Sequence, residues 1–320
     1  MRLLVDIGIA VLLDWLVGDP PNWPHPVRFI GWLISTFEKQ IRRFSSNLYI
    51  GGFVLMILTV SSVVALYALA VSVCHPYFLR ILNIYLLYTC LACKCLKDEA
   101  FKVKNLIQKN QVEASRKELS YLVGRDTETL TVEQVLRGII ETVSENTVDG
   151  ILAPLFYMLV GSLFVYNNIS FAVVFALIYK SVNTLDSMVG YVQAPYKEIG
   201  MISAKTDDLL NFIPARIGAI FMLMAGAVLK LNFKNGLNVM MRDHRNHKSP
   251  NCGYPESVTA GLLDIQLGGT NVYFGETVYK PTIGDKLRDF DVVDIDKSVK
   301  VMYVSESILL LLGILLTVLV

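Results

Sequence analysis

Three stretches of the chain, residues 51–73, 209–229 and 301–320, stay apolar for the length a helix needs to cross a bilayer, about 20 residues. No other feature constrains the fold as tightly, because inside hydrocarbon every backbone N–H and C=O must be satisfied within the segment, and a helix does this. Residues 3–17, 77–95, 151–166 and 171–185 are shorter or carry charge and read as further spans. The expectation is an all-α polytopic membrane protein of about 5 to 7 membrane helices. Composition agrees: of 320 residues 53% are hydrophobic and 18% charged, too apolar for an ordinary soluble domain. Residues 3–17 contain Asp6 and Asp14 and lack a small-residue cleavage site, so they read as a retained helix and not as a signal peptide.

Basic residues mark the cytoplasmic connections. Residues 19–50 hold four Lys and Arg, 97–149 eight and 187–208 two, whereas the connections around His75 and Asn167 hold none. The chain 1–320 thus reads as a single integral membrane domain in the cell membrane, with its basic connections inside. A cytoplasmic helical insertion occupies 97–149, and a polar loop region with some strand (271–274 alternates) occupies 230–300, ahead of the last membrane helix. A full crossing by 209–229 would put the ten Lys and Arg of 230–300 outside, so that stretch, which contains Pro214 and Arg216, is expected to be re-entrant.

Ionisable residues at membrane segments are costly and mark candidate sites. Glu141, Glu145 and Asp149 recur every four residues, with Asn146 beside them, and run directly into an apolar stretch. On a helix they share one face and repel. A divalent cation is the natural compensation, and Mg2+ suits carboxylate and amide oxygens; a solvated acidic face is the alternative. Thr131, Gln134 and the apolar face Val135, Ile139 and Val143 make this segment helical.

Other constellations follow. Lys180, Asn183, Thr184 and Asp186 end an apolar run, where a Lys can hold phosphate and Asn with Asp can ligate metal or orient a nucleophile, or where Lys180 simply snorkels to the interface. Asp207 and Asp208 precede the next run, where capping explains one of them; Arg216 lies inside that run. Arg242, Asp243, His244, Ser249, Asn251 and Glu256 fall in a segment broken by Gly and Pro, read as a ligand-gripping loop. Asp19, His25 and Arg28 sit among four prolines and three tryptophans, an anion-binding arrangement or a rigid interfacial turn. Arg125 precedes the acidic helix. The five cysteines lack paired spacing and read as buried thiols. No Walker A loop, GxGxxG or GxSxG is present, so any phosphate site is bespoke. A formal charge of +1 without basic–aromatic runs argues against nucleic acid as a partner.

At these motifs the sequence resembles the adenosylcobinamide-phosphate synthase family, the CobD/CbiB membrane proteins of cobalamin biosynthesis. The blocks LDWLVGDPPNWPHPVRFIG, LVGRDT, ETVSENTVDGILAPLFY, YKSVNTLDSMVGY, SAKTDDLLNFIPARI and RDHRNHKSPNCGYPES occur in this order from residue 13 to 257, and the resemblance reaches to about residue 284. The resemblance implies an ATP-dependent ligase joining adenosylcobyric acid, a corrinoid, to aminopropanol phosphate or aminopropanol through an amide bond. It implies an acyl-phosphate route. Glu141, Glu145, Asn146 and Asp149 would hold Mg2+ against ATP, with Lys180 on a phosphate. Asn183, Asp186, Asp207 and Asp208 would bind a second metal or accept the amine proton, and Arg28, Arg125, Arg216 and Arg242 would grip phosphate or corrinoid carboxylates. The lipid bilayer and other membrane-associated cobalamin-assembly enzymes are the implied partners. Two other classes share part of the pattern. A Mg2+-dependent prenyltransferase needs Asp-rich spacing that NTLDS half supplies, and a transporter needs internal repeats that the two halves do not show.

Overall fold

The computed structural model describes residues 2–20, 23–191, 193–273 and 276–319. Its helices are α1 (Arg2–Val17), α2 (Pro26–Phe44), α3 (Leu48–Val73), α4 (Pro76–Tyr88), α5 (Cys93–Gln108), α6 (Val112–Ser120), α7 (Val132–Thr147), α8 (Ala153–Gly161), α9 (Phe171–Val189), α10 (Met201–Val228), α11 (Phe233–Asp243), α12 (Gly253–Leu263) and α13 (Val293–Leu319). A π-helical turn, Val148–Leu152, joins α7 to α8. Two antiparallel hairpins complete the chain, β1 (Val165–Tyr166) with β2 (Ile169–Ser170) and β3 (Leu267–Tyr273) with β4 (Glu276–Ile283).

The chain is an all-α polytopic membrane protein. Among the described residues five helical stretches are long and apolar enough to cross a membrane: Leu48–Val73, Pro76–Gln108, Phe171–Val189, Met201–Val228 and Val293–Leu316. In α3 the buried positions Leu55, Thr59, Val63 and Tyr67 recur every four residues, while Phe53, Ile57, Leu66 and Leu69 are exposed. A stripe that packs and an apolar remainder left uncovered is the signature of a helix solvated by lipid.

Several sequence expectations change. Residues 3–17 form the 16-residue α1, and 151–166 yield only the nine-residue α8 before the chain turns through Asn167, at φ +50, into β2. The stretch around Pro214 is not re-entrant: α10 runs unbroken for 28 residues with Pro214 inside. Proline cannot donate to the carbonyl four residues back. Here that carbonyl, Leu210 O, accepts instead from the Tyr157 hydroxyl at 2.8 Å.

The segment 251–300 is also more helical than its Gly and Pro content suggests, since α12 begins at Gly253 and α13 at Val293. Pro255 falls in the first turn of α12, where backbone N–H groups lack helical partners anyway. Of the motifs quoted above, Pro21, Asn22, Phe274 and Val320 lie outside the described residues.

Two compact units divide the chain: Met1–Ala92 with Ala153–Asn211 and Leu310–Val320, and Cys93–Leu152 with Phe212–Leu309. In the first, α9 packs on α2, α3, α4 and α8. Asp6 on α1, 3% exposed, takes two hydrogen bonds from Arg80 on α4, at 2.7 and 2.9 Å, which accounts for an acid in an apolar helix. In the second, α7 packs on α5, α6 and α12, and α12 on α11, β3 and β4.

Candidate functional site

The second unit builds its site on α7. Thr131 and Gln134 close a capping box at its start, and Val135, Ile139 and Val143 are buried. The acidic positions therefore turn to the opposite side of the helix. Glu141 is neutralised within the protein: its Oε2 lies 3.1 Å from Arg125 Nη1, and its Oε1 accepts from the Gly268 amide at 3.0 Å. Gly268 has φ +76, a backbone conformation that glycine adopts without strain. Arg137 Nε lies 3.8 Å from the same carboxylate.

Arg125 is nearly enclosed, its side chain 4% exposed. Nη1 also donates to Asn271 Oδ1, an atom that accepts from Arg137 Nη2 at 3.1 Å. Nε and Nη2 of Arg125 have no hydrogen-bond partner among the described residues. The guanidinium fits because residue 138 is glycine; a Cβ there would collide with Nη2.

One turn further on, the Glu145 carboxylate accepts from the Cys252 thiol at 3.1 Å. Asp149 lies in the π turn, a helix irregularity that often marks functional positions. Ligand atoms of Glu145, Asp149 and Cys252 lie within 4.8 Å of one another. Burial, and then the Glu145 and Asp149 charges, push the Cys252 thiol well above its ordinary range, so it stays protonated. Glu256 on α12 is 5% exposed. Burial, reinforced by Glu141 and Glu145, raises its carboxyl well above the usual carboxylate range. Burial also lowers His247. The His247–Glu256 approach of 3.9 Å is therefore a contact between neutral groups and not an ion pair.

A cleft of about 160 Å3 opens among these groups, lined by Arg125, Glu141, Glu145, Asn146, Glu256 and Lys280. Of the anticipated residues, the fold thus gathers Arg125, Glu141, Glu145, Asn146, Asp149 and Glu256 around one end of α7. Lys280, Asn271, Cys252 and His247 join them without having been singled out for that place. The β3–β4 hairpin supplies Lys280 and Asn271, and its contact with α7 joins residues more than 120 apart in sequence, beyond the reach of local spacing.

Other anticipated residues have partners within the protein away from this cleft. Arg242 holds both carboxylate oxygens of Asp243, at 2.7 and 2.8 Å, and both of Asp285, at 3.0 and 3.1 Å. Asp243 also accepts from the Gly284 amide at 2.8 Å. Arg242 holds the Asp243 carboxyl below its usual range, and the group clasps the end of α11 to the end of β4. Arg216 stacks on Phe212 and Tyr254, at 3.5 and 4.6 Å, and Nη1 lies 3.4 Å from Asn251 Oδ1. His244 packs on the same Tyr254 ring and meets Met240 O at 2.8 Å. The Ser249 amide donates to His247 Nδ1 at 3.0 Å.

In the first unit a second polar group forms between α9 and the start of α10. Asp207, 7% exposed, accepts from Asn183 at 3.3 Å and from Asn211 at 3.0 Å, and Asn211 accepts from Tyr179 at 2.9 Å. Because α10 begins at Met201, Asp207 and Asp208 lie beyond its first turn and do not cap it. Lys180, Asp186 and Asp208 are on the same two helices. His25 is the N-cap of α2, accepting from the Val27 amide at 3.3 Å and meeting Asp19 at 3.1 Å. Arg28 is exposed, as are Trp23 and Trp32.

The family model for the CobD/Cbib protein matches residues 7–302, nearly the whole chain. This chain belongs to the CobD/CbiB family. It is 44% identical over 314 residues to the cobalamin biosynthesis protein CobD of Clostridium tetani, covering 97% of this chain and 96% of the relative. It is 44% identical over 313 residues to CobD of Citrobacter koseri, covering 96% and 95%. With the cobalamin biosynthesis protein CbiB of Salmonella typhimurium the identity is 43% over 310 residues, covering 95% and 94%. These names support a role in cobalamin biosynthesis. No solved structure matches the chain.

In this CobD/CbiB chain the donor set near α7 can be tested against Mg2+. Magnesium takes one or two carboxylates and completes its shell with water and substrate phosphate. Glu145 and Asp149 supply that pair, while the Cys252 thiol, kept protonated, supplies a hydrogen bond and no thiolate. Glu141 is already held by Arg125 and Gly268. The residues fit, with Glu145 and Asp149 as the holders, and an ion there would neutralise phosphate charge.

Proposed function

We propose that this chain is the adenosylcobinamide-phosphate synthase of cobalamin biosynthesis, an ATP-dependent ligase that joins adenosylcobyric acid to (R)-1-aminopropan-2-ol phosphate. The observation that carries this reading is the α7 cleft. There a carboxylate pair suited to Mg2+ stands beside two basic side chains, Arg125 and Lys280, and a buried carboxyl, Glu256. Amide formation from a carboxylate and an ammonium needs the carboxylate activated and the ammonium deprotonated. In the proposed route ATP phosphorylates the corrinoid propionate, and the amine then displaces phosphate, leaving the amide, ADP and inorganic phosphate. Glu145 and Asp149 would hold a Mg2+ ion, which when bound would neutralise nucleotide phosphate charge, since phosphoryl transfer is mostly positioning and charge neutralisation. Counted from a cytoplasmic segment 19–47, the five apolar stretches leave both 109–170 and 229–292 on the cytoplasmic side of a cell membrane, where ATP is available, and this supports a cleft on that side. Asn183, Asp186, Asp207, Asp208 and Lys180 belong to the corrinoid or phosphate contacts of the first unit in this reading.

The test incubates the purified protein in lipid or detergent with adenosylcobyric acid, ATP, Mg2+ and each amino-alcohol phosphate, and measures the corrinoid mass. The reading expects a corrinoid heavier by the amino-alcohol phosphate less one water, with ADP formed in equal amount. An unchanged corrinoid with every amine would overturn it.

A further inference from the structure

We propose that the corner between α2 and α3 binds one anionic phospholipid of the cytoplasmic leaflet, its acyl chain in the groove at that corner and its phosphate on Lys39 and Arg43. The site is independent of the ligase reading and uses none of its residues.

α2 has 19 residues, enough to cross a membrane, yet it is not among the five apolar stretches. It is amphipathic: Ile30, Leu33 and Ile34 are buried, while Arg42 and Arg43 stand in its last turn and Lys39 one turn earlier. Three of the four Lys and Arg of the cytoplasmic connection 19–50 thus fall within residues 39–43. Arg42 is engaged inside the protein, donating to Glu38 at 2.7 Å and to Pro195 O at 3.0 Å. Lys39 and Arg43, four residues apart and both exposed, share one side of the helix. Neither meets a carboxylate among the described residues, and Arg43 lies over the Phe44 ring at 5.4 Å. Beside them a groove of about 360 Å3 opens between the end of α2 and the start of α3, its lining including Gln40, Ile41, Phe44, Ile50 and Val54. The two helices close on each other there because residue 51 is glycine; a Cβ would come within 2.7 Å of Ile41 Cγ2. Phe44, Ile50 and Val54 are exposed apolar side chains, and Val54 leads one turn on to Ile57 and Leu58, also exposed. A chain lying on Ile50 and Val54 therefore continues along the face of α3 that lipid solvates. Anionic headgroups of the cytoplasmic leaflet attract juxtamembrane Lys and Arg. An apolar groove bordered by two cations without counterions matches an anionic amphiphile: an uncharged headgroup gains nothing from the cations, and a free phosphate gains nothing from the groove.

Native mass spectrometry of the full chain in a neutral detergent tests this, with phosphatidylglycerol, phosphatidylcholine of the same chains and glycerol 3-phosphate as probes. One phosphatidylglycerol is expected to bind at least about tenfold tighter than phosphatidylcholine, with a preference that shrinks as salt rises. Glycerol 3-phosphate is expected not to compete. Lys39→Gln combined with Arg43→Gln, both at exposed positions, should bring phosphatidylglycerol to within about twofold of phosphatidylcholine. Lys39→Arg, which keeps the charge, should retain the preference, and Ile50→Ser should weaken both lipids alike. Lys109→Gln combined with Lys117→Gln removes the same charge at two other exposed positions and should leave the preference intact. Equal binding of the two lipids by wild type, competition by glycerol 3-phosphate, or a preference that survives the paired Lys39 and Arg43 changes would overturn the proposal. An equal loss in the Lys109 and Lys117 variant would overturn it too, by making the effect one of bulk charge.

Discussion

Arg125 Nη1 lies 3.1 Å from Glu141 Oε2 in a pair whose side chains are 4% and 13% exposed. Two buried charges of opposite sign hold each other, so the acid that opens the Glu141, Glu145, Asp149 series is a structural counterion. Removing one member leaves the other charged and out of water. Glu141→Gln should therefore destabilise the protein by about 3–5 kcal/mol, read as a lower melting temperature of the purified protein in detergent. An unchanged melting temperature would show that the pair contributes nothing.

Gly138 is the second support of that guanidinium. Gly138→Ala puts a Cβ against Arg125 Nη2, and overpacking of this kind costs about 1–3 kcal/mol even though alanine is the better helix former. A melting temperature equal to or above wild type would mean that Arg125 moves aside freely.

Tyr157 and Pro214 are coupled through one carbonyl. Tyr157→Phe removes the donor to Leu210 O and should cost about 1 kcal/mol. In a Pro214→Ala background the helix supplies its own N–H to that carbonyl, so the same Tyr157→Phe change should cost much less. A double-mutant cycle of melting temperatures measures the difference, and equal costs in both backgrounds would break the argument.

Much of this was legible in the sequence. Thr131 and Gln134 announced the start of α7, its apolar face follows from Val135, Ile139 and Val143, and the four-residue recurrence put the acids on one side. Apolar length located three of the five candidate spans, and the shorter stretches 77–95 and 171–185 anticipated the other two, alongside 3–17 and 151–166, which are not among them. What escaped had physical causes. Pro214 looked like a helix break because the compensating Tyr157 hydroxyl is 53 residues from Leu210. The start of α12 was hidden by Gly253 and Pro255, which a first turn tolerates. Lys280 and Asn271 carried no local signal, since only hairpin pairing brings β3 and β4 to α7. Arg242 and Asp243 looked like free ligand-binding groups because nothing in their own segment reveals Asp285 and the Gly284 amide.

Glu256 gives the stability a pH dependence. Its folded carboxyl titrates well above the ordinary 4.5, so the native state keeps a proton that the unfolded chain has lost. Its contribution is complete below the unfolded value and is lost as pH rises through the folded one. Asp243, lowered by Arg242, works the other way: its contribution is present above the unfolded carboxylate range and is lost as pH falls through the folded value. Glu256→Gln should flatten the decline of melting temperature on the alkaline side and leave the acid side unchanged. Parallel profiles for wild type and variant would contradict the buried neutral assignment.

Cys252 should be a slow thiol. With its pKa raised and its side chain buried, alkylation by a maleimide at pH 8 should lag behind that of an ordinary cysteine, because the thiolate is the nucleophile. Cys252→Ser keeps a donor to Glu145 and should retain ligase activity. Fast alkylation would mean that Cys252 is ionised and available as a metal ligand.

The central claim is that Glu145 and Asp149 form the Mg2+ and ATP end of a ligase site, and Glu145→Gln tests it most directly. The amide still accepts from the Cys252 thiol, so the fold should hold, while one of two metal-binding oxygen donors loses its charge. Product formation from adenosylcobyric acid and aminopropanol phosphate, with MgATP binding measured on the same preparation, should fall by about 100-fold or more. Wild-type turnover and ATP affinity in Glu145→Gln would contradict the account.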